Sequence, residues 1–462
     1  MIDHIRALKD IVGEQHVLTE AQDKYGYETP WRGEIGKAAF VVRPKNTQET
    51  SQVVGYFFEN DISFISQSGN TGLVGASTPD QSGNQAVLNL SRVTDVCEMN
   101  AANKSARVGA GVTLSMLNHR ALEYDLFFPI DLGSDPCIGG MVATNTGGAR
   151  LLKYGDVRQN LLGLSVVLYD GTIIDIGNSL HKNNTGLDLK QLFVGAGGQN
   201  GIITECVVKL SLLPQQTATA LIVPASNEAV PQLLIELEKC FGDELSAFEG
   251  MSKNAIEAAF AHNGSGLTNS FHEGIPDYVC LVELNRAWPE RDEEVSLDEV
   301  LQIALGNIME RDKKLLETAY FGHSSEHWKL RHAISEGVQK SGKMIGFDIA
   351  FERDKAMEFC SFIHEALPKY FPDIKICDFG HIGDGAMHLN LVLSLDDIRL
   401  QNPDFISDVR QWMFEQVVEK HGGSYSAEHG IGPSNQAAYD RYTPDILKDI
   451  VKNIEIACRS GG

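Results

Sequence analysis

The sequence predicts an α+β protein of two or three domains, and three observations carry that prediction. Its 462 residues exceed the usual span of a single hydrophobic core. Up to about residue 214, short apolar strands are separated by glycine-rich loops, with few helices between them. From about 215 the composition shifts to longer helical patterns alternating with strands, as in an α+β domain.

Hydrophobic residues at 43% and charged residues at 22% supply cores of ordinary size. The net charge of −23 argues against nucleic-acid or anionic-membrane partners, which would repel such a chain, so an anionic ligand has to be held by local cations. No apolar run reaches the roughly 18 residues that a membrane span needs. The first ten residues include two Asp and lack an apolar core like that of a secretory leader, so a cytoplasmic location is expected. The eight Cys (97, 137, 206, 240, 280, 360, 377 and 458) show no CxxC spacing, which fits reduced, mostly buried thiols; neither disulfide nor metal is expected of them.

In order, a first helix leads to an aromatic segment ending at Pro30-Trp31-Arg32-Gly33. Ala39–Val42 reads as a strand, and Asn46 with Glu49 forms a capping-box pattern before a helix over Thr50–Glu59. The strand Ile62–Ile65 opens into Ser66-Gln-Ser-Gly-Asn-Thr-Gly-Leu-Val-Gly75, where three Gly expose backbone N–H groups able to cradle a phosphate; a plain turn-rich connection fits equally. Ala86–Leu90 and Ala106–Val112 are strand-like, and Thr113–Tyr124 is an amphipathic helix. Two Gly-Gly pairs within Ile138–Arg150 call for close backbone approach to a ligand or a packed neighbour. Asp170-Gly171 between apolar runs marks a hairpin. No GxxxxGK[ST] occurs, and Gly195-Ala-Gly-Gly-Gln-Asn fails GxGxxG at its last position, which disfavours a P-loop or Rossmann site. Several glycine loops on a domain that is mostly not βαβ still favour a large, extended cofactor.

The second half offers helices at Val230–Phe241 and, after a Ser296 cap, through Met309, with an exposed loop over His262–Ser270 between them. Tyr278–Asn285 and Phe347–Phe351 read as strands, Asp354–Leu367 and Phe405–Lys420 as helices, and the tail as helical to about Cys458. Arg331 and Ser335 lie four apart on one helical face, where an Arg can grip a carboxylate bidentately or simply face solvent. His381 and His388 flank a Gly-Asp-Gly turn, and Glu428-His429-Gly430 follows about forty residues on. Two His and one Glu suit a borderline divalent cation such as Zn²⁺, with His429 left for proton transfer; taken alone, the His pair also fits a turn between paired strands.

Six ordered motifs resemble the FAD-dependent D-2-hydroxyacid dehydrogenases of the vanillyl-alcohol-oxidase/PCMH flavoprotein superfamily. They are Ser68-Gly-Asn-Thr-Gly-Leu73, Cys137–Gly148, Gly201–Glu205, Trp328-x-x-Arg331, His381–Asn390 and Glu428–Gly432. The resemblance implies a PCMH-type FAD domain of two α+β subdomains (1–214), a substrate-cap domain on an antiparallel sheet (215–404), and a helical segment (405–462) returning to the FAD domain. It implies that Ser68, Gly69, Asn70, Thr71, Gly72, Leu73, Pro129, Gly133, Ser134, Gly139, Gly140, Ala143, Thr144, Gly148, Gly201 and Ile203 hold the cofactor. FAD is expected to be non-covalent, since no His or Cys stands in Ser66–Gly75 and Cys137 has its counterpart in non-covalent relatives. By motif position, His381, His388 and Glu428 would bind Zn²⁺ or another divalent metal. Arg331, Ser335, Asn390 and His429 would hold the 2-hydroxy acid, with His429 also the general base for hydride loss to the flavin.

Departures from the family pattern bear on substrate. The D-2-hydroxyglutarate enzyme has a Lys fifteen residues after its substrate Arg, where this chain has Gly346. Lys343 is three residues earlier, an odd offset that points it to the other strand face. Ala386, Met141 and the Gly195–Gly201 loop also depart from the usual residues. D-2-hydroxyglutarate is the first expectation, and D-lactate or another monocarboxylic hydroxy acid the alternative. A non-catalytic flavin-binding subunit is a further alternative, which the intact His381, His388, Glu428 and His429 oppose. An electron-transferring flavoprotein, quinone or cytochrome as acceptor and a homodimeric state complete the family expectation.

Overall fold

The computed structural model describes residues 2–263 and 266–459, leaving Gly264 and Ser265 of the expected surface loop outside the described residues. The chain divides into two compact units. Met1–Gly147, Gly155–Leu213 and Glu428–Gly462 form the first; Gly148–Tyr154 and Pro214–Ala427 form the second.

In the first unit, a four-stranded sheet runs in the order Val17–Leu18, Val41–Val42, Ala86–Asn89, Phe64–Gln67, with the last three parallel to one another. Leu8, Val53, Phe57 and Leu88 close its core. The helix packed on it, Thr47–Glu59, begins a turn earlier than its apolar pattern suggests, because Asn46 Oδ1 accepts the Glu49 N–H at 2.9 Å. The Glu49 carboxylate accepts in return from Lys45 N at 3.0 Å, which completes the reciprocal cap one residue before the usual place. The second sheet is five-stranded and antiparallel, in the order Cys97–Asn100, Ser105–Gly109, Ile202–Lys209, Leu161–Val167, Ile173–Gly177. The Asp170-Gly171 hairpin joins its last pair, and Gly171 takes φ +89°, a conformation that favours glycine. The unit is more helical than its sequence pattern shows: Ala21–Glu28 is a helix with one buried residue and little apolar periodicity to announce it. The C-terminal segment adds Gly432–Tyr442 and Asp445–Arg459, broken at Pro444.

The second unit is built on a seven-stranded antiparallel sheet. Its order is Leu316–Phe321, Gln216–Pro224, Tyr278–Arg286, Leu245–Ser252, Lys375–Gly380, Ala386–Leu393, Lys343–Ala350. Three of these strands, Gln216–Pro224, Leu245–Ser252 and Leu316–Phe321, escape the sequence reading, as does the helix Lys253–Asn263. Every residue of Leu245–Ser252 is buried, so no alternation of polar and apolar marks the strand. Among the described residues, no helix is long and apolar enough to cross a membrane.

Helices Lys253–Asn263 and Ser324–Lys340 cover one sheet face through Ala255, Ile256, Ile334 and Val338 against Met251 and Phe379. Their approach is set by Gly337, where a Cβ would lie 2.7 Å from the Ala258 carbonyl oxygen. Gly337→Ala gains roughly 1 kcal/mol of helix propensity. Forcing a methyl against backbone costs about 1–3 kcal/mol. The second effect is expected to win, so thermal unfolding should show a lowered midpoint in the variant; an unchanged or raised midpoint would contradict this packing.

Candidate active site

In the first unit, the strand Phe64–Gln67 delivers the chain into the Gly-rich loop. The base of that loop is fixed by buried polar contacts. Gln67 donates to the carbonyls of Tyr27 and Ser77, Asn89 donates to Gln67 Oε1 and to the Ser68 carbonyl, and Asn70 accepts from Ser77 Oγ at 2.8 Å. Asn70 itself sits at φ +53°, a left-handed conformation that Asn tolerates better than most residues. The helix Ile138–Thr144 lies so close to its neighbours that a Cβ on Gly140 would come 2.9 Å from Ser68 Oγ, and one on Gly139 2.5 Å from Ala110 Cβ. Both glycines of the Gly139-Gly140 pair therefore serve close approach.

These loops enclose a pocket of about 1280 Å³, open mouth included. It is lined by residues 66–74, Ser134, Gly139, Gly140, Ala143, Thr144, Gly201 and Ile203, and by Glu428 and His429 of the C-terminal segment. Gly72 and Gly197 line it where an added side chain would meet open space. A lining of loop backbone with mostly small side chains fits a long dinucleotide. Of the residues expected to hold the cofactor, Pro129, Gly133 and Gly148 are not among those lining the pocket, whereas Leu132, Cys137, Gly197 and Gly198 are. The Cys137 thiol is buried, and burial raises its pKa, in keeping with an inert side chain beside the pocket. Glu428 Oε1 and His429 Nε2 stand 3.6 Å apart.

In the second unit, strand register decides which residues meet, since paired residues of antiparallel strands turn their side chains to the same face. His388 pairs with both Phe379 and Asp348, Asn390 with both Cys377 and Gly346, and Met251 with Phe379. Glu249, two residues before Met251, shares that face. So do Leu281 and Glu283 across the next pair. The helix Ser324–Lys340 lays Arg331 on the same face, its guanidinium 5.0 Å from the Phe379 ring centre.

The centre of this face is Glu249, whose side chain is 1% exposed. Oε2 accepts from Arg331 Nε at 2.7 Å and pairs with Nη2 at 2.6 Å; Oε1 meets His381 Nδ1 at 2.7 Å. Burial alone would raise the carboxyl, but the neighbouring His381 and Arg331 outweigh it and bring its pKa down to about 2. His381 and His388 stand edge to face, ring centres 5.1 Å apart, and His388 Nδ1 lies 3.4 Å from Asp348 Oδ1. Asn390 Nδ2 donates to the carbonyls of Cys377 and His388. Ser335, one turn beyond Arg331, is half-buried on the same helix.

The structure thus brings Arg331, His381, His388 and Asn390 onto one face, and adds two acids that sequence reasoning missed, Glu249 and Asp348. Each is a single carboxylate in an otherwise apolar strand (Leu-Ser-Ala-Phe-Glu249-Gly-Met-Ser and Ile-Gly-Phe-Asp348-Ile-Ala). That isolation was the available signal, since a lone buried carboxylate requires a partner.

The comparisons agree with both units. A model described as "FAD binding domain" matches residues 38–177, and one described as "FAD linked oxidases, C-terminal domain" matches 213–454. The mitochondrial D-2-hydroxyglutarate dehydrogenase of Bos taurus is 31% identical, the alignment covering 93% of this chain and 76% of the relative. A Schizosaccharomyces pombe protein provisionally named a mitochondrial D-lactate dehydrogenase is 30% identical over 93% of this chain and 82% of its own. The chain belongs to the FAD-dependent D-2-hydroxyacid dehydrogenases. It is an FAD-dependent oxidoreductase acting on a CH–OH donor. Its fold matches that of p-cresol methylhydroxylase with substrate bound at a TM-score of 0.75, with 15% identity and coverage of 99% of this chain and 94% of that one. This places the dehydrogenase in the PCMH-type architecture.

A third buried acid, Glu283, braces the same face. It accepts from Arg150 Nε (2.8 Å), Trp328 Nε1 (2.7 Å) and Ser246 Oγ (2.7 Å). Burial raises its pKa, but the bonds from Arg150, Ser246 and Trp328 prevail and hold it below the ordinary 4.5. A depressed carboxyl contributes stability above its unfolded-state pKa and loses it as pH falls through the folded value. Denaturant unfolding followed at descending pH should therefore show a loss below about 4.5 that is smaller in Glu283→Gln; parallel pH profiles for the two proteins would contradict the assignment.

Proposed function

We propose that this dehydrogenase oxidises a D-2-hydroxy acid to the 2-oxo acid, with D-2-hydroxyglutarate as first choice. The observation that supports it most is the junction at Glu249, which orients an Arg suited to a carboxylate and a His suited to a metal on one face. Nε and Nη2 of Arg331 face Glu249, which leaves Nη1 to receive the substrate carboxylate. Asn390 and Ser335 take the adjoining polar contacts. His381, with Nδ1 committed to Glu249, presents Nε2 as a ligand, the carboxylate–histidine arrangement found behind bound metals. His388 and Glu428 complete the proposed ligand set, and Asp348 beside His388 is a further carboxylate. The N/O donors fit a borderline divalent cation. Zn²⁺ held by these residues would supply a Lewis acid that lowers the pKa of the substrate hydroxyl. The imidazole of His429 takes the hydroxyl proton, a role supported by its place in the wall of the cofactor pocket. FAD bound in that pocket supplies the hydride acceptor.

D-lactate or another monocarboxylic substrate is the second reading, and strand register favours it. The pairing of Lys343–Ala350 with Ala386–Leu393 runs without a bulge, so Gly346 shares the face of Asn390 while Lys343 is turned to the opposite one. No lysine of this strand is therefore aimed at a second carboxylate.

Anaerobic mixing with candidate substrates tests both readings. A D-2-hydroxy acid should bleach the bound flavin, and D-2-hydroxyglutarate should do so at higher kcat/KM than D-lactate if the first reading holds. His429→Asn should lower the bleaching rate by about 10²–10⁴ with flavin retained, the range for loss of a general base. His388→Ala should lower metal content and rate together. A protein purified without flavin, or a rate unchanged in both variants, would overturn the proposal.

A further inference from the structure

The sheet of the second unit carries a second cluster of metal-binding side chains on its opposite face. Asp378 lies between Cys377 and Phe379, both of which face the candidate active site, so its own side chain points the other way. There it meets the helix Ala356–Tyr370, from which Cys360 and His364, four residues apart, project on one face. Cys360 Sγ donates to Asp378 Oδ2 at 3.1 Å, and His364 Nε2 is 3.0 Å from Asp378 Oδ1. One ligand atom from each of the three lies within 4.8 Å of the other two. Asp378 is 1% exposed, whereas the His364 side chain is 42% exposed, so the cluster reaches from the core to solvent and an ion has a way in.

We propose that Cys360, His364 and Asp378 form a second metal site, for a thiophilic divalent cation of the Zn²⁺ class, distinct from the one proposed at His381 and His388. The donor set of thiolate, imidazole and carboxylate is one that Zn²⁺ takes, with bonds of about 2.3 Å to sulfur and about 2.0–2.1 Å to nitrogen and oxygen. Tetrahedral ligands at those lengths stand roughly 3.3–3.6 Å apart, and the two spacings to Asp378, 3.1 and 3.0 Å, lie close to that. A fourth position opens to water on the His364 side. Charge also balances. Without metal the cluster holds the Asp378 carboxylate, the Cys360 thiol and, when protonated, the His364 imidazolium. A divalent cation displaces the thiol proton and the imidazolium proton to solvent, binding thiolate, neutral imidazole and carboxylate, so the buried site stays neutral in both states. The sequence alone assigns Cys360 no metal, because its partners come from the next helical turn and from a strand eighteen residues on, with no CxxC spacing to announce them.

Bound there, a cation ties the helix to the strand Lys375–Gly380 three residues before His381, and so stiffens the approach to the active-site face. The inference does not depend on the proposed substrate or mechanism. Zn²⁺ K-edge absorption of the flavin-loaded, zinc-saturated protein tests it, because the site proposed for catalysis contains no sulfur. A zinc–sulfur distance of about 2.3 Å is expected. It should vanish in Cys360→Ser with one zinc fewer per chain, and persist in His388→Ala. His364→Gln, a change at an exposed ring that leaves the core intact, should weaken this zinc at least about 10-fold, the loss that even an outer partner of a metal site causes. Absence of a zinc–sulfur distance in the saturated protein, its survival in Cys360→Ser, or unchanged affinity in His364→Gln would overturn the proposal.

Discussion

The arrangement of the second unit depends on one buried carboxylate with two nitrogen partners, a guanidinium and an imidazole. Moving an isolated charge into a protein core costs several kcal/mol, a debt that only close, hydrogen-bonded partners offset. Glu249 meets that requirement by taking Arg331 on one oxygen and His381 on the other. The consequence is functional as well as energetic. Because the acid tolerates no loose partner, it holds the helix bearing Arg331 and the turn bearing His381 in a fixed relation, and any ligand that binds both does so on a preorganised frame.

Glu283 repeats the device a short way along the same sheet face, with Arg150, Trp328 and Ser246 as partners, and Asp348 stands beside His388. Three acids on one face of an otherwise apolar sheet make that face its polar side. The opposite face carries Asp378 with Cys360 and His364. Alternation along the strand Lys375–Gly380 keeps the two sets apart by a single residue, Phe379 serving one face and Asp378 the other.

Much of this was legible in the sequence where local chemistry decides structure. The Asn46 cap, the Asp170-Gly171 hairpin, the Ser296 cap and the helical pairing of Arg331 with Ser335 each depend on contacts within a few residues. The close packing of Gly139 and Gly140 was legible because a Cβ at either position would clash with Ala110 or Ser68. What could not be read were features set by distant partners. Leu245–Ser252 is buried throughout, so it lacks periodicity, and Glu249 acquires its meaning only when strand order brings it to His381, 132 residues on. Cys360 is similar: spacing along the chain hides its meeting with His364 and Asp378, which the fold assembles. The family motifs located the histidines, yet gave no sign of the acids that orient them.

If Glu249 is the common anchor, its charge should matter to two functions at once. The decisive measurement is a comparison of wild type with a folded, flavin-loaded Glu249→Gln, reading substrate KM and bound metal in the same preparation. The amide keeps the shape but not the charge, so KM should rise and metal content should fall together, the first through a misplaced Arg331 and the second through a misoriented His381. Retention of wild-type KM and full metal content would show that Arg331 and His381 are positioned without Glu249 and would contradict the account.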